Sequence, residues 1–307
     1  MHPALKFLLV FVPAVFIGDR LGAMLIKSVV SLSRDRFVEM YEGRSRADVV
    51  VIGNSRAADQ FPARLMGERI GARVVNLGLG GVSTVISEVL FRDYVEQNGR
   101  PRLLVIEPTN LTVEPSAVGD MRLFSAFSPR MERVVSEREP TAYWTQQLFH
   151  MFAYNNENLV RVLYGVVKVP EDRHLDGAIT PELVRIVRDR ASVDLKNFRD
   201  NEAALERILR FASEQGIDVA IVASPYLPEQ LDNYRNYADW YARVARSAGP
   251  RIKVWDYSRL FRDAKYFKDS VHMNVDGSMA LLDVMLKDGV FDPIRTPKPR
   301  VQSSLAR

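Results

Sequence analysis

The chain has 307 residues, 47% of them hydrophobic, which is enough for one large domain with a full core or one domain with an insertion. It contains no cysteine, which excludes disulfides, thiolate metal sites and a cysteine nucleophile. The net charge of +4 comes from arginines spread along the length, not from a basic block interleaved with aromatics, so no nucleic-acid partner is expected.

The first thirty residues stand apart. Phe7–Gly18 is an uncharged apolar run behind Lys6, broken by Asp19-Arg20 and resumed over Leu21–Ile26. The run alone has the length of a signal-peptide core. Leu5–Ile26 taken together reaches bilayer length, and no small-x-small cleavage site stands clearly after the run. An uncleaved membrane anchor over residues 1–27 is the expectation; a cleaved signal and a buried helix are the other readings. Residues 28–46 follow as an amphipathic linker. Arg20, Lys27, Arg34 and Arg36 lie after the run and only Lys6 and the amino terminus near its start. Taken literally, the positive-inside rule leaves the body cytoplasmic.

From residue 47 strand and helix signals alternate up to about residue 290. Asp48–Gly53 carries four consecutive β-branched residues, the pattern of a strand buried on both faces, and Arg56–Ile70 follows as a helix. Arg73–Leu77 is a second strand, running into Gly78-Leu79-Gly80-Gly81. A helix over Ser83–Gln97 is stopped by Gly99-Arg100-Pro101, and Leu103–Ile106 is a third strand. Leu205, Ile208, Leu209 and Ala212 mark an amphipathic helix capped by Gly216. Strands over Ile217–Ala223 and Ile252–Tyr257 flank a helix near Leu231–Ala248, and a last helix covers Asn274–Lys287. Strands separated by helices predict a parallel sheet with right-handed crossovers. Residues 111–195 interrupt the alternation, with a helical, aromatic-rich stretch over Thr141–Tyr164. This insertion after the third strand reads either as a lid at the sheet edge or as amphipathic helices packed on the sheet. The proline-bearing, basic tail 291–307 is expected to be disordered.

Four segments end on one edge of the predicted sheet, and each offers a group useful for acyl transfer. Ser55 follows the first strand and begins a helix. Gly78, Gly80 and Gly81 follow the second, where missing side chains leave backbone N–H groups able to face a ligand. Asn110 follows the third with an amide, and Asp269-Ser-Val-His272 precedes the last helix. A nucleophile needs a base, the base an orienting acceptor, and the developing oxyanion pre-placed donors. His272 would take the Ser55 proton and Asp269 would hold the other ring nitrogen. The N–H groups of Ser55 and Gly81 with the Asn110 amide would form the oxyanion hole. Arg56 contacts an anionic substrate group or is simply the first exposed helix residue. Asn54 and Glu107 are further candidates for shaping the substrate site, Glu107 reading equally as an arginine-paired carboxylate. His150 and His174 have no partners at metal-ligand spacing.

Gly53-Asn-Ser55, Asn76-x-Gly-x-x-Gly81, Pro108-Thr-Asn110 and Asp269-x-x-His-x-Asn-x-x-Gly277 resemble the four blocks of the SGNH (GDSL-type) hydrolase superfamily in order and spacing. The resemblance implies a flavodoxin-like three-layer α/β/α sandwich over residues 47–290 and Ser/His/Asp ester chemistry without a cofactor. Two departures stand out: Asn54 replaces the usual Asp before the serine, and Leu111 follows Asn110 where many members have Asp. The anchor, the Gly-Asn-Ser-Arg form of the first block and the long insertion look more like membrane-anchored members that acylate cell-envelope polymers beside a membrane-bound O-acyltransferase. On that reading the catalytic domain lies in the periplasm. A tethered carboxylester hydrolase or thioesterase, and a non-catalytic polysaccharide-binding accessory, are the competing functions. Tyr226, Tyr234, Tyr237, Trp240 and Tyr241 would suit stacking on sugars or filling a core.

Overall fold

Five short apolar runs lie side by side in a computed structural model that describes residues 2–116, 118–168 and 175–295. They are β1 (Val49–Ile52), β2 (Val74–Asn76), β3 (Leu103–Ile106), β4 (Asp218–Ala223) and β5 (Val254–Asp256). Their spatial order is β2-β1-β3-β4-β5 with every neighbouring pair parallel. That is the flavodoxin-like doubly wound order, as the resemblance implies. The register aligns Ile52 of β1 with Ile106 of β3, so these two strands end at one level, where Gly53 and Glu107 begin their turns.

Successive side chains of a strand point to opposite faces, and the two cores divide accordingly. Val50, Ile52, Leu104, Ile106 and Ile221 belong to one, and Val49, Val51, Leu103, Val105 and Val222 to the other. The first face is covered by α2 (Arg36–Tyr41), and the second by α3 (Ser55–Gln60) and α4 (Ala63–Ile70), through Ala57, Phe61 and Met66. The single helix expected over Arg56–Ile70 is thus two, because Pro62 cannot continue the first and caps the second. α5 (Thr84–Asn98) returns to the first face.

Residues 111–195 hold α6 (Pro129–Arg138), α7 (Pro140–Leu148), α8 (Glu157–Val167) and α9 (Pro181–Arg188). Val134, Val135, Tyr154 and Val162 join the first core and Val187 the second, so the insertion straddles the sheet. α10 (Arg199–Glu214) crosses back to β4. α11 (Pro228–Asp232) and α12 (Tyr237–Ala248) replace the single helix expected near Leu231–Ala248. α13 (Val275–Lys287) and the short α14 (Asp292–Arg295) end the described chain. The tail expected to be disordered over 291–307 is corrected at its start, where Phe291 is buried and Asp292–Arg295 is helical, and from 296 onward it lies outside the described residues.

α1 (Pro3–Val30) is long and apolar enough to cross a membrane, by length and composition. The buried-helix reading fails, since Leu5, Phe7–Val12 and Val15–Ile17 are all exposed. The linker expected over 28–46 is also corrected. Phe37, Val38, Met40 and Tyr41 of α2 are buried, and the Phe37 and Tyr41 rings lie 5.6 and 5.5 Å from Phe124 of the insertion. Burying such side chains stabilises by about 1.5–3 kcal/mol each, so this segment is core and not tether.

Candidate active site

Gly53 has φ 148°, and a side chain there would place its Cβ 2.8 Å from both Ala57 Cβ and the Glu107 carbonyl oxygen. Only glycine lets β1 turn this sharply beside β3. Asn54 then caps α3, its Oδ1 accepting from Arg56 N–H at 3.0 Å, and Ser55 becomes the first helical residue at the C-terminal edge of the sheet. The backbone of Gly80 passes close by: a Cβ on it would lie 3.8 Å from Ser55 Cβ.

The second half of the site is built by the entry into α13. Asn274 caps that helix by accepting from Gly277 N–H at 3.0 Å, and its amide donates to the carbonyls of Gly177 and Lys265. Gly277 has to be glycine, because a Cβ would fall 2.2 Å from the Tyr266 carbonyl oxygen. The turn so fixed brings His272 to Ser55 across 217 positions of sequence, with Nε2 and Oγ 2.8 Å apart. His272 Nδ1 lies 2.9 Å from Asp269 Oδ2 and 3.1 Å from Oδ1. An ionised carboxylate only accepts, so Nδ1 carries the ring proton and Nε2 is left to accept from the serine hydroxyl. A second carboxylate, the buried Asp59, has its Oδ2 3.8 Å from the same Nε2.

Asp269 Oδ1 also accepts from the N–H groups of Val271 and His272, at 2.9 and 2.8 Å. Partial burial alone would raise this carboxyl. The His272 ring and the two backbone donors outweigh it and hold Asp269 below the ordinary carboxylate range. A group whose folded pKa is depressed adds stability that is present above its unfolded value, about 3.9 for Asp, and lost as pH falls through the folded one. The gap in thermal midpoint between the parent and Asp269→Asn should therefore be constant above about pH 5 and close on acidification below about pH 4. A gap that widened in acid would contradict this wiring.

Arg56, Glu107 and Asn54 are not where a substrate could meet them. Arg56 is 3% exposed and Glu107 fully buried. Arg56 Nε donates to Glu107 Oε1 at 3.1 Å, and Nη2 donates to the carbonyls of Ser224 and Pro225 and to Ser224 Oγ. Nη1 donates to the Val271 carbonyl, in the turn that carries His272, and the guanidinium lies 3.6 Å over the Tyr226 ring. Both sequence readings of Arg56, as an anion contact and as an exposed helix residue, are thus corrected: it braces the ends of β3 and β4 against the Asp269–His272 turn. Glu107 also accepts from Ser224 Oγ at 2.8 Å and from Thr109 N–H at 3.0 Å, and Asn54 Oδ1 is engaged by Arg56 N–H and Thr109 Oγ1. Gln60 joins the brace, its amide donating to the Val271 carbonyl at 2.9 Å. Tyr226, Tyr237 and Trp240 are buried, which favours the core reading of these aromatics.

The donor side is partly corrected as well. Gly78 N–H is taken by Asn76 Oδ1 at 2.8 Å, so this glycine serves packing: its Cβ would lie 2.5 Å from Ala58 N. Gly81 adopts φ 74°, open to solvent space around its Cα. Asn110 is buried, its amide N–H donates to Ser87 Oγ at 2.9 Å, and its Oδ1 has no hydrogen-bond partner. The Asn201 amide donates to the carbonyls of Asn110, Leu111 and Val113, at 3.3, 3.0 and 2.7 Å, holding that loop from α10. Ser87, Asn201, Ser224, Gln60 and Asp59 carry no sequence signal, because each acts through long-range contacts that no local pattern encodes. Among the described residues no cluster of three or more His, Cys, Asp or Glu could hold a metal. His150 donates its backbone N–H to Asp19, and His174 lies outside the described residues.

No protein-family model matches this sequence, and no curated protein matches it. Among solved structures it is similar to a GDSL-like lipase from Bacteroides thetaiotaomicron, with a TM-score of 0.40 and 12% identity over 80% of this chain and 87% of that one. It is also similar to TesA, with a TM-score of 0.37 and 13% identity over 78% of this chain and 97% of that one.

Proposed function

We propose that the chain is an SGNH-type serine esterase or O-acyltransferase in which Ser55 is the nucleophile, His272 the base and Asp269 its orienting partner. The observation that carries this is the unbroken relay from Ser55 Oγ through both His272 nitrogens to Asp269 at the C-terminal edge of the sheet. Oγ attacks the acyl carbonyl carbon while its proton passes to Nε2, and the carbonyl oxygen becomes an oxyanion. The tetrahedral intermediate collapses by expelling the alcohol, which leaves with the proton from Nε2. Water or an acceptor hydroxyl then gives its proton to Nε2 and attacks the acyl-serine, and Nε2 returns that proton to the departing Ser55 Oγ as acid or a new ester is released.

The N–H groups of Ser55 and Gly81 and the Asn110 amide are the oxyanion donors in this reading. Exchanging the two ends of the Asn110 amide lets Oδ1 accept from the Ser87 hydroxyl and presents the NH2 instead, an orientation that an oxyanion would favour. The anchor α1 supports a substrate at the membrane, and we place the domain in the periplasm, acylating or deacylating an envelope polysaccharide beside a membrane-bound O-acyltransferase. The completed relay weighs against a non-catalytic accessory. A fluorophosphonate should give one adduct per chain, on the peptide containing Ser55. An unlabelled chain, or an adduct on another serine that survives Ser55→Ala, would overturn the assignment.

A further inference from the structure

The helix α1 is too short, outside the body, to cross a bilayer. Its fully exposed part runs from Pro3 to Gly18, and at about 1.5 Å per residue this covers roughly 24 Å of the ~30 Å hydrocarbon core. The missing length has to come from the next turns, and there α1 is already attached to the insertion. Asp19 accepts from the N–H groups of His150 and Met151 at 2.7 and 3.1 Å, and Arg20 donates to the Leu148 carbonyl at 3.2 Å. Gly22 lets the insertion approach α1, since a Cβ there would lie 2.7 Å from Met151 Sδ.

We infer that the corner between α7 and Tyr154 is seated in the lipid bilayer together with α1, completing the span. Three observations carry this. The corner exposes Trp144 (68%), Leu148 (59%), Phe149 (47%) and Met151 (43%), large apolar groups beside the exposed apolar surface of α1. Its backbone is satisfied internally, as chain in lipid requires: Phe149 N–H bonds to Thr145 O, His150–Tyr154 forms a 3-10 turn in which Phe152 N–H bonds to Phe149 O, and the groups of 148, 150 and 151 go to Asp19 and Arg20. The two charges at this level are paired with each other at 3.1 Å, as charges at membrane depth are. His150 lines a mostly apolar cavity of about 480 Å³ between α1 and the insertion, with Arg20, Lys27 and Glu132 at its polar positions. The occupant is therefore lipid, and the insertion is a membrane-seating device, distinct from the lid that its place in the sequence suggests.

The absence of cysteine makes the test clean. Full-length single-cysteine variants Trp144→Cys, Leu148→Cys and Phe149→Cys, with Ser213→Cys on exposed α10 as control, are labelled with bimane and reconstituted in phosphatidylcholine–phosphatidylglycerol vesicles. The three corner labels should be quenched several-fold more by spin-labelled lipid than by aqueous iodide, and the control the reverse. Corner labels quenched by iodide as readily as the control would overturn the inference. So would protection seen in native membranes but lost in pure lipid, which would assign the corner to a protein partner.

Discussion

Ser55→Ala should lower kcat/KM for a generic acetyl ester by at least about 10³-fold while leaving the thermal midpoint unchanged. Removing the nucleophile leaves only substrate binding and the oxyanion donors, which retain a small residual rate over water. The fold should not notice, because the side chain that caps α3 is Asn54, and among the described residues Ser55 Oγ bonds only to His272. A variant that kept half of the parental rate would end the serine mechanism. A variant that lost its fold along with activity would instead show that the relay is structural.

Arg56 should give the opposite result. Arg56→Met removes the cation and leaves Glu107 buried without its charge partner, which typically costs about 3–5 kcal/mol. The thermal midpoint should fall sharply, and activity with it, although Arg56 touches no substrate. Arg56→Lys should recover little, because an ammonium cannot reproduce a planar fork that serves Glu107, Ser224, Pro225 and Val271 at once. An unchanged midpoint in either variant would refute the brace.

The contrast between neighbours 55 and 56 shows what a sequence of this kind discloses. Ser55 was legible because chain reversal at a sheet edge obeys local rules, a β-branched run, a glycine that must turn, a cap, then a helix, while Asp269 and His272 were legible from their spacing before the last helix and the resemblance of that block. The parallel sheet was legible because strands separated by helices admit few right-handed topologies, whereas its flavodoxin-like arrangement followed only from the resemblance. Arg56 was not legible, because its five acceptors come from β3, β4 and the Asp269–His272 turn, and a cation at a helix start is usually solvated. The segment 28–46 misled for a similar reason: its charges, Arg34 to Arg36, sit beside Phe37 and Tyr41, whose burial depends on Phe124 in a distant insertion. Asn110 was placed correctly on its loop, yet its hydrogen bond to Ser87 required knowing which face of α5 lies behind it.

The Asn201 clamp has a consequence for how this chain tolerates change. One amide in the first turn of α10 grips three carbonyls between Asn110 and Val113. The ends of the long excursion between them are thereby stapled at its base, and the chain that runs out and back is a closed loop hung from a fixed gate. Lengthening or shortening such a loop changes its closure entropy only slowly, by about 0.6 kcal/mol per doubling. Its exposed stretches are thus free to change in length while the strand ends beneath stay where they are, whereas Phe124, Met131, Val135 and Val162, buried in the core, are not.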